Sequence, residues 1–297
     1  MEALGHSELF FSAERDYWYN EDFLDLMAKR WELGRYSSML DIGSGLCHWS
    51  QLLAPYLLPN SSVIAYDKDP KWAEGSHKIK EKFQSLQSEI KFVEGDANQL
   101  PFEDNSFDVV TCQTLLIHLE HPEQVLLEMK RVVKKDGIVI CAEPNNLAVN
   151  LMKDSLSKNY TIEKKLEKTR FEILWELGKI KLKEGDNSFG DLLTGTMNEL
   201  GFINLQTYLN DKIISLYPPY LKDEQKAMVN SLKLWDMEKS TFEDTERRYF
   251  EAQGKEVINF YEDFNAKNND NKTLEHIEKN NYYSTGATIM YLVSGNK

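Results

Sequence analysis

The run Met39-Leu40-Asp41-Ile42-Gly43-Ser44-Gly45 constrains this chain more than any other: an apolar strand end, a carboxylate, and two glycines flanking one residue. A strand that turns sharply into a helix needs a residue free of Cβ strain, which Gly43 supplies, while Gly45 lets a ligand approach the backbone closely. The next helix is expected to begin near His48. Its N-terminal N–H groups then face the loop and suit a ligand with a carboxylate or polar hydroxyls. Val63-Ile64-Ala65-Tyr66 reads as a second buried strand ending in Asp67, 22 residues beyond Gly45, about where an acid reaches a ribose in a βαβ nucleotide unit. Asp69-Pro70 reads as an N-cap followed by proline at the first helical position, which commits Asp69 to the helix and leaves Asp67 as the free carboxylate. A third strand, Ile90 to Val93, stops at Glu94-Gly95-Asp96-Ala97 and sets a second acid on the C-terminal rim of the sheet, where ligands of open α/β sheets bind.

From Ser38 to Glu143 the pattern is strand then helix, five times over, with strands at 39–42, 63–66, 90–93, 107–112 and 138–142. Right-handed crossovers then demand an α/β, Rossmann-like, doubly wound and mostly parallel sheet. Strands at 201–206 and 287–293 complete seven. Residues 16–33 are expected to be a helix, with Trp18, Phe23, Leu26, Met27 and Trp31 at roughly helical spacing.

Five segments in order join these elements to one family. They are Leu40-Asp41-Ile42-Gly43-Ser44-Gly45, Tyr66-Asp67-Lys68-Asp69-Pro70, Glu94-Gly95-Asp96-Ala97, Leu100-Pro101-Phe102 with Phe107-Asp108-Val109-Val110, and Leu127 through Gly137. Over residues 36 to 145 the chain resembles the class I S-adenosylmethionine (SAM)-dependent methyltransferases, in the type 11 or UbiE-like small-molecule branch. The loop departs from the family at Cys47, where a third glycine is usual. The resemblance implies an antiparallel last strand and SAM as cofactor, with S-adenosylhomocysteine as product. It implies that Asp67 accepts both ribose hydroxyls with Lys68 beside it, that Asp96 accepts from the adenine amino group next to the Ala97 N–H, and that Asp41, Gly43, Ser44 and Gly45 lie under the methionine portion. Gln113 falls where the family touches the amino-acid end, and the segment before the first strand, with Tyr17, Trp18 and Tyr19, often folds over the cofactor. Tyr17 and Tyr19 are each either lining or packing residues. A phosphate loop is excluded because no lysine follows the glycines, and a dinucleotide fingerprint fails because His48 stands where its third glycine belongs.

The resulting plan has an N-terminal helical segment over the cofactor site (1–35), a SAM-binding core (36–145), a helical insertion (146–187), a core helix with strand six (188–218), a helical cap insertion (219–284) and the last core strand (285–297). Phe171, Leu174, Trp175, Gly178 and Leu182 trace one face of a helix in the first insertion. The second carries Leu232, Leu234, Trp235, Phe242, Tyr249, Phe250, Phe260, Tyr261 and Phe264, a pattern of packed helices, and a polar loop, Asn268 to Lys272. Together the insertions are expected to close over the rim and enclose a partly aromatic acceptor pocket.

A net charge of −13 argues against nucleic-acid binding, which draws its affinity from Lys and Arg on phosphates. Three cysteines, Cys47, Cys112 and Cys141, show no zinc spacing, so reduced buried thiols and no metal are expected, in keeping with a cytoplasmic protein. Met1 to His6 lacks the basic and apolar regions of a leader, and no apolar run reaches membrane-spanning length. Methyl transfer from a sulfonium is an in-line displacement that needs a base only if the acceptor loses a proton. His118, after strand four, is either an acceptor-side group or an ordinary helix residue; Glu143 and Asn145, after strand five, are candidates for acceptor contacts. The leading expectation is methyl transfer to a small organic acceptor. A non-catalytic SAM-binding protein with a partner-binding cap, and a protein methyltransferase, are the alternatives; oligomeric state is not legible.

Overall fold

The computed structural model describes residues 13–73, 77–237, 239–268, 272–286 and 288–297. Met1 to His6, the centre of the Asn268 to Lys272 loop and Ala287 lie outside the described residues. The helices, in chain order, are α1 Glu21–Arg30, α2 His48–Leu53, α3 Pro70–Ala73, α4 His77–Ser85, α5 Pro122–Val132, α6 Asn146–Asn150, α7 Ile162–Lys181, α8 Gly190–Glu199, α9 Asp223–Met237, α10 Lys239–Glu251, α11 Lys255–Asn268 and α12 Lys272–Glu278. The strands are β1 Ser38–Ile42, β2 Ser61–Asp67, β3 Ser88–Glu94, β4 Phe107–Gln113, β5 Val133–Pro144, β6 Ile203–Leu209 and β7 Met290–Asn296.

Two compact units form. The first, Tyr19–Asn145 with Ser188–Asp211 and Met290–Lys297, contains a seven-stranded sheet in the order β3-β2-β1-β4-β5-β7-β6. Pairs from β3 to β5 are parallel, and β7 runs antiparallel to both β5 and β6, as expected. Central strands read as continuous apolar runs because both faces are covered. Leu40, Ile42, Val110, Cys112, Val139 and Cys141 share one buried cluster with Val125, Leu126 and Met129 of α5 and Leu193 and Met197 of α8. The chain leaves β1 toward β2 and β3, then returns to β4 on the other side. The C-terminal ends of β1 and β4 therefore flank the topological switch point at which such sheets bind ligands.

Two boundaries move for identifiable reasons. The expected helix 16–33 is a 3-10 turn at Ala13–Tyr17 followed by α1 from Glu21. Asn20 is held extended, its N and Nδ2 donating to the Asp211 carboxylate at 3.2 and 2.9 Å, so the helix starts after it. Strand six begins at Ile203 and not at Gly201. That glycine is left-handed at φ +76° and closes α8, with Phe202 N donating to Met197 O at 3.0 Å.

The second unit spans Met1–Trp18, Asn146–Asn187 and Lys212–Ile289, and its described residues fall mainly in helices. Phe171, Tyr249, Phe250 and Tyr261 are core, as their spacing predicted. Phe171 of α7, Tyr249 and Phe250 of α10 and Tyr261 of α11 are buried together, with Phe171 stacked on Phe264 at 4.2 Å between centroids. Gly178 is required on α7, since a Cβ there would fall 2.2 Å from the Tyr249 carbonyl oxygen. Among the described residues no helix is long and apolar enough to cross a membrane.

Candidate active site

The β1–α2 loop is built from left-handed residues and a carboxylate supplied by β2. Gly43 and Gly45 have φ of +67° and +47°. The N–H groups of Gly43 and Ser44 donate to Tyr66 O at 2.8 and 3.2 Å, and that of Gly45 donates to Asp67 Oδ2 at 2.9 Å. Cys47, in the third glycine position of the resembled family, is also left-handed at φ 59° and ψ 28°. A residue with a Cβ pays a steric cost there. Its thiol is fully enclosed, and burial pushes its pKa well above the ordinary thiol range. α2 starts at His48 as expected, and Trp49 anchors it: Nε1 donates to Thr111 Oγ1 at 2.7 Å, and that hydroxyl donates to Ile140 O at 2.7 Å.

The three expected rim acids have different surroundings. Asp41 is buried, and burial pushes its pKa up to about 7, opposed by hydrogen bonding from Ser50. Its Oδ2 has no hydrogen-bond partner. Asp69 is the helix cap that the sequence predicts, accepting from Lys71 N at 3.0 Å. Asp67, however, is not a free carboxylate. Besides the Gly45 N–H it accepts from Asp69 N at 3.0 Å, so each oxygen braces backbone and retains a second lone pair. Asp96 is exposed and accepts from Asn98 N and Nδ2 at 2.9 and 2.8 Å. Tyr66 OH donates to the Asp96 carbonyl at 3.2 Å, and Gly95 admits that ring, since a Cβ on it would lie 1.9 Å from the hydroxyl. Ala97 is half-buried and Lys68 exposed.

The end of β4 carries a second strained turn. Gln113 Nε2 donates to Tyr19 OH at 3.1 Å, both side chains are buried, and the Tyr19 ring lies 5.4 Å from that of Trp49. Tyr19 thus joins the sheet unit, while Tyr17 and Trp18 belong to the helical unit, beneath Lys212 at 5.2 Å and Arg15 at 4.9 Å. Thr114 is left-handed at φ 51° and leads into a 3-10 turn, Leu116–His118. Glu143 of β5 holds that turn: its Oε1 accepts from Leu115 N at 3.0 Å and Leu116 N at 2.9 Å, with the Cys112 thiol at 3.7 Å. Glu143 is fully enclosed, burial pushes its pKa up to about 7, and its Oε2 has no hydrogen-bond partner. His118 is exposed at the end of the turn, and Asn145 Nδ2 donates to Asp191 Oδ2 at 2.6 Å. The backbone role of Glu143 and the Trp49–Thr111 anchor were missed in the sequence. An acid at the end of an otherwise apolar strand was the available signal, but it does not say which N–H groups the side chain reaches.

Among the described residues no group of three His, Cys, Asp or Glu side chains is arranged to hold a metal ion. The three cysteines are free and buried. Residues 40–141 match the family of the methyltransferase domain. The demethylmenaquinone methyltransferase of Staphylococcus carnosus (strain TM300) is 32% identical over 125 residues, 42% of this chain and 50% of that protein. The corresponding protein of Staphylococcus aureus (strain JH9) is 36% identical over 114 residues, 38% of this chain and 46% of that protein. The chain thus spans about half the length of these curated relatives. A solved structure of the YcgJ protein from Bacillus subtilis is 16% identical, with a TM-score of 0.48 over 94% of this chain and 99% of that chain.

Proposed function

With residues 40–141 forming a methyltransferase domain of the class I SAM-dependent type, we propose that the chain binds SAM at the C-terminal ends of β1 to β4 and transfers its methyl group to a small, largely apolar organic acceptor. The observation that carries this reading is the loop itself. Left-handed residues and the Asp67 brace hold the β1–α2 turn open while leaving Asp67 acceptor capacity toward the rim.

The residues fit the cofactor on physical grounds. Asp41 Oδ2 is buried without a hydrogen-bond partner, and its ionisation is opposed by desolvation. A cationic ligand relieves that condition. When bound, SAM supplies a methyl group already activated by the sulfonium. In this reading Asp67 accepts from the ribose hydroxyls, Asp96 and the Ala97 N–H meet the adenine, and Asp41 with Gly43, Ser44 and Gly45 faces the methionine end. The Gln113–Tyr19 hydrogen bond steadies the amino-acid end from β4. Holding acceptor, methyl and sulfur in line then supplies much of the rate. His118 is the candidate to take a proton if the acceptor loses one. Glu143 acts on that side as a positioning residue, because its bonded oxygen fixes the backbone of the turn that ends in His118.

The relatives matched in sequence are named for demethylmenaquinone, so a quinone ring is the first acceptor to test. Radiolabelled SAM is incubated with the chain and either demethylmenaquinone or a panel of small phenols and amines. The expected result is label in an organic-soluble product. Binding of SAM with no transfer to any small molecule, or transfer to protein alone, contradicts the reading.

A further inference from the structure

Building on the SAM reading above, on which this role depends, we propose that Asp211 is a positioning residue for the cofactor site. By fixing Asn20 it holds the Tyr19 hydroxyl on Gln113 at the end of β4. Asn20 stands at the N-cap of α1, where an asparagine side chain ordinarily accepts from the N–H of the second or third helical residue. Here it makes no such bond. Its Nδ2 donates instead to Asp211 Oδ2 at 2.9 Å, and its backbone N to Asp211 Oδ1 at 3.2 Å, across 191 residues of sequence. Both oxygens of one carboxylate thus hold both donors of one residue, a two-point attachment that fixes orientation as well as distance. The far end is anchored too. Asn210 N donates to Met290 O and Asn210 Oδ1 accepts from Met290 N, both at 2.9 Å, which ties the chain after β6 to the first residue of β7.

The residue so positioned is Tyr19, directly before the attachment. It is buried, with its ring 5.4 Å from that of Trp49 of α2 and 6.4 Å from that of Phe23 of α1. Its hydroxyl accepts from Gln113 Nε2 at 3.1 Å. An amide that spends an N–H on a fixed oxygen cannot turn over without losing that bond, so Gln113 keeps its Oε1 as the group offered to a ligand. An oxygen acceptor there suits the ammonium of the methionine end and not a carboxylate. Without the Asp211 carboxylate, the Asn20 side chain is released to cap its own helix in the ordinary way. Tyr19 then loses the anchor on its backbone, and the Gln113 amide its fixed orientation. Asp211 is exposed and Asn20 half-buried, so the attachment adds little to stability and its loss is read in binding.

Calorimetric titration of S-adenosylhomocysteine into the full chain reads the effect, with melting curves alongside. Asp211→Asn sets an amide nitrogen against one of the Asn20 donors, and Asn20→Asp sets two carboxylates together. Each is expected to weaken binding about five- to ten-fold while the melting curve stays in place. The exchanged pair, Asn20→Asp with Asp211→Asn, restores a donor opposite each acceptor and is expected to bind within about two-fold of the wild type. Tyr19→Phe removes the hydroxyl through which Asp211 acts, so adding Asp211→Asn to it is expected to weaken binding no further. Binding by Asp211→Asn equal to that of the wild type overturns the proposal. So does an exchanged pair as weak as its components, or losses from Asp211→Asn and Tyr19→Phe that multiply. Those results leave the SAM reading standing, whereas a wild-type chain that binds no S-adenosylhomocysteine overturns both.

Discussion

After β1, the N–H of Gly45 is held by Asp67, a carboxylate supplied by the neighbouring strand and half open to solvent. After β4, the N–H groups of Leu115 and Leu116 are held by Glu143, also supplied by the neighbouring strand but fully enclosed. Each turn also contains a left-handed residue bearing a side chain, Cys47 in one and Thr114 in the other. The same device thus occurs twice at the switch point, with different exposure. A half-open carboxylate keeps lone pairs and water for a ligand to displace, so its bracing role and a binding role coexist. An enclosed one is committed to the fold, and its ionisation is opposed by desolvation. This difference separates Asp67, proposed to contact the cofactor, from Glu143, proposed to position a turn.

The largest expected effect is on stability against pH. Asp41 and Glu143 are both pushed up by burial to about 7 in the folded chain, whereas unfolded carboxyls ionise near 4. Between those values the folded state holds more protons than the unfolded one. Stability therefore falls as pH rises through about 4 to 7 and levels off above it, an effect of several kcal/mol for two such groups. Urea midpoints measured across this range should fall, and those of the Asp41→Asn, Glu143→Gln double variant should fall less steeply, since Glu246, which burial also pushes up to about 7, remains. A flat wild-type profile removes the electrostatic half of the comparison.

Next in size is the brace itself. Glu143→Ala leaves the buried Leu116 N–H and the half-buried Leu115 N–H without their acceptor and should cost about 3 kcal/mol in chemical denaturation, whereas Glu143→Gln keeps an oxygen for them and should cost less than about 1 kcal/mol. Equal losses would mean that charge and not the acceptor oxygen matters at this turn. The smallest effect concerns the left-handed residues. Cys47→Ala keeps the steric cost and loses the buried sulfur, while Cys47→Gly removes the cost. Glycine should therefore be better tolerated than alanine by about 1 kcal/mol, read from thermal or urea melts. Alanine tolerated as well as glycine would show that the loop relaxes out of this conformation.

The strands and their alternation with helices were legible because continuous apolar runs and the glycine loop are local signals. Asp69 as a cap followed from Pro70 beside it, and the packed aromatics of α7, α10 and α11 from helical spacing. The failures were long-range. Asp67 was read as free because nothing near it in sequence shows that Gly45, on the preceding strand's loop, donates to it. The start of α1 was misjudged because Asp211, far along the chain, fixes Asn20. Glu143 was read as an acceptor-side candidate because its position at a strand end was visible, but its enclosure was not.

Calorimetric titration of S-adenosylhomocysteine into the wild-type chain and into Asp67→Ala tests the central claim most directly, with melting curves to establish that the variant is folded. Saturable binding to the wild type is expected, with a loss of about 2–4 kcal/mol in the variant, the worth of charge-assisted hydrogen bonds to the ribose hydroxyls. Unchanged affinity in a folded Asp67→Ala chain, or no binding to the wild type at all, would contradict it.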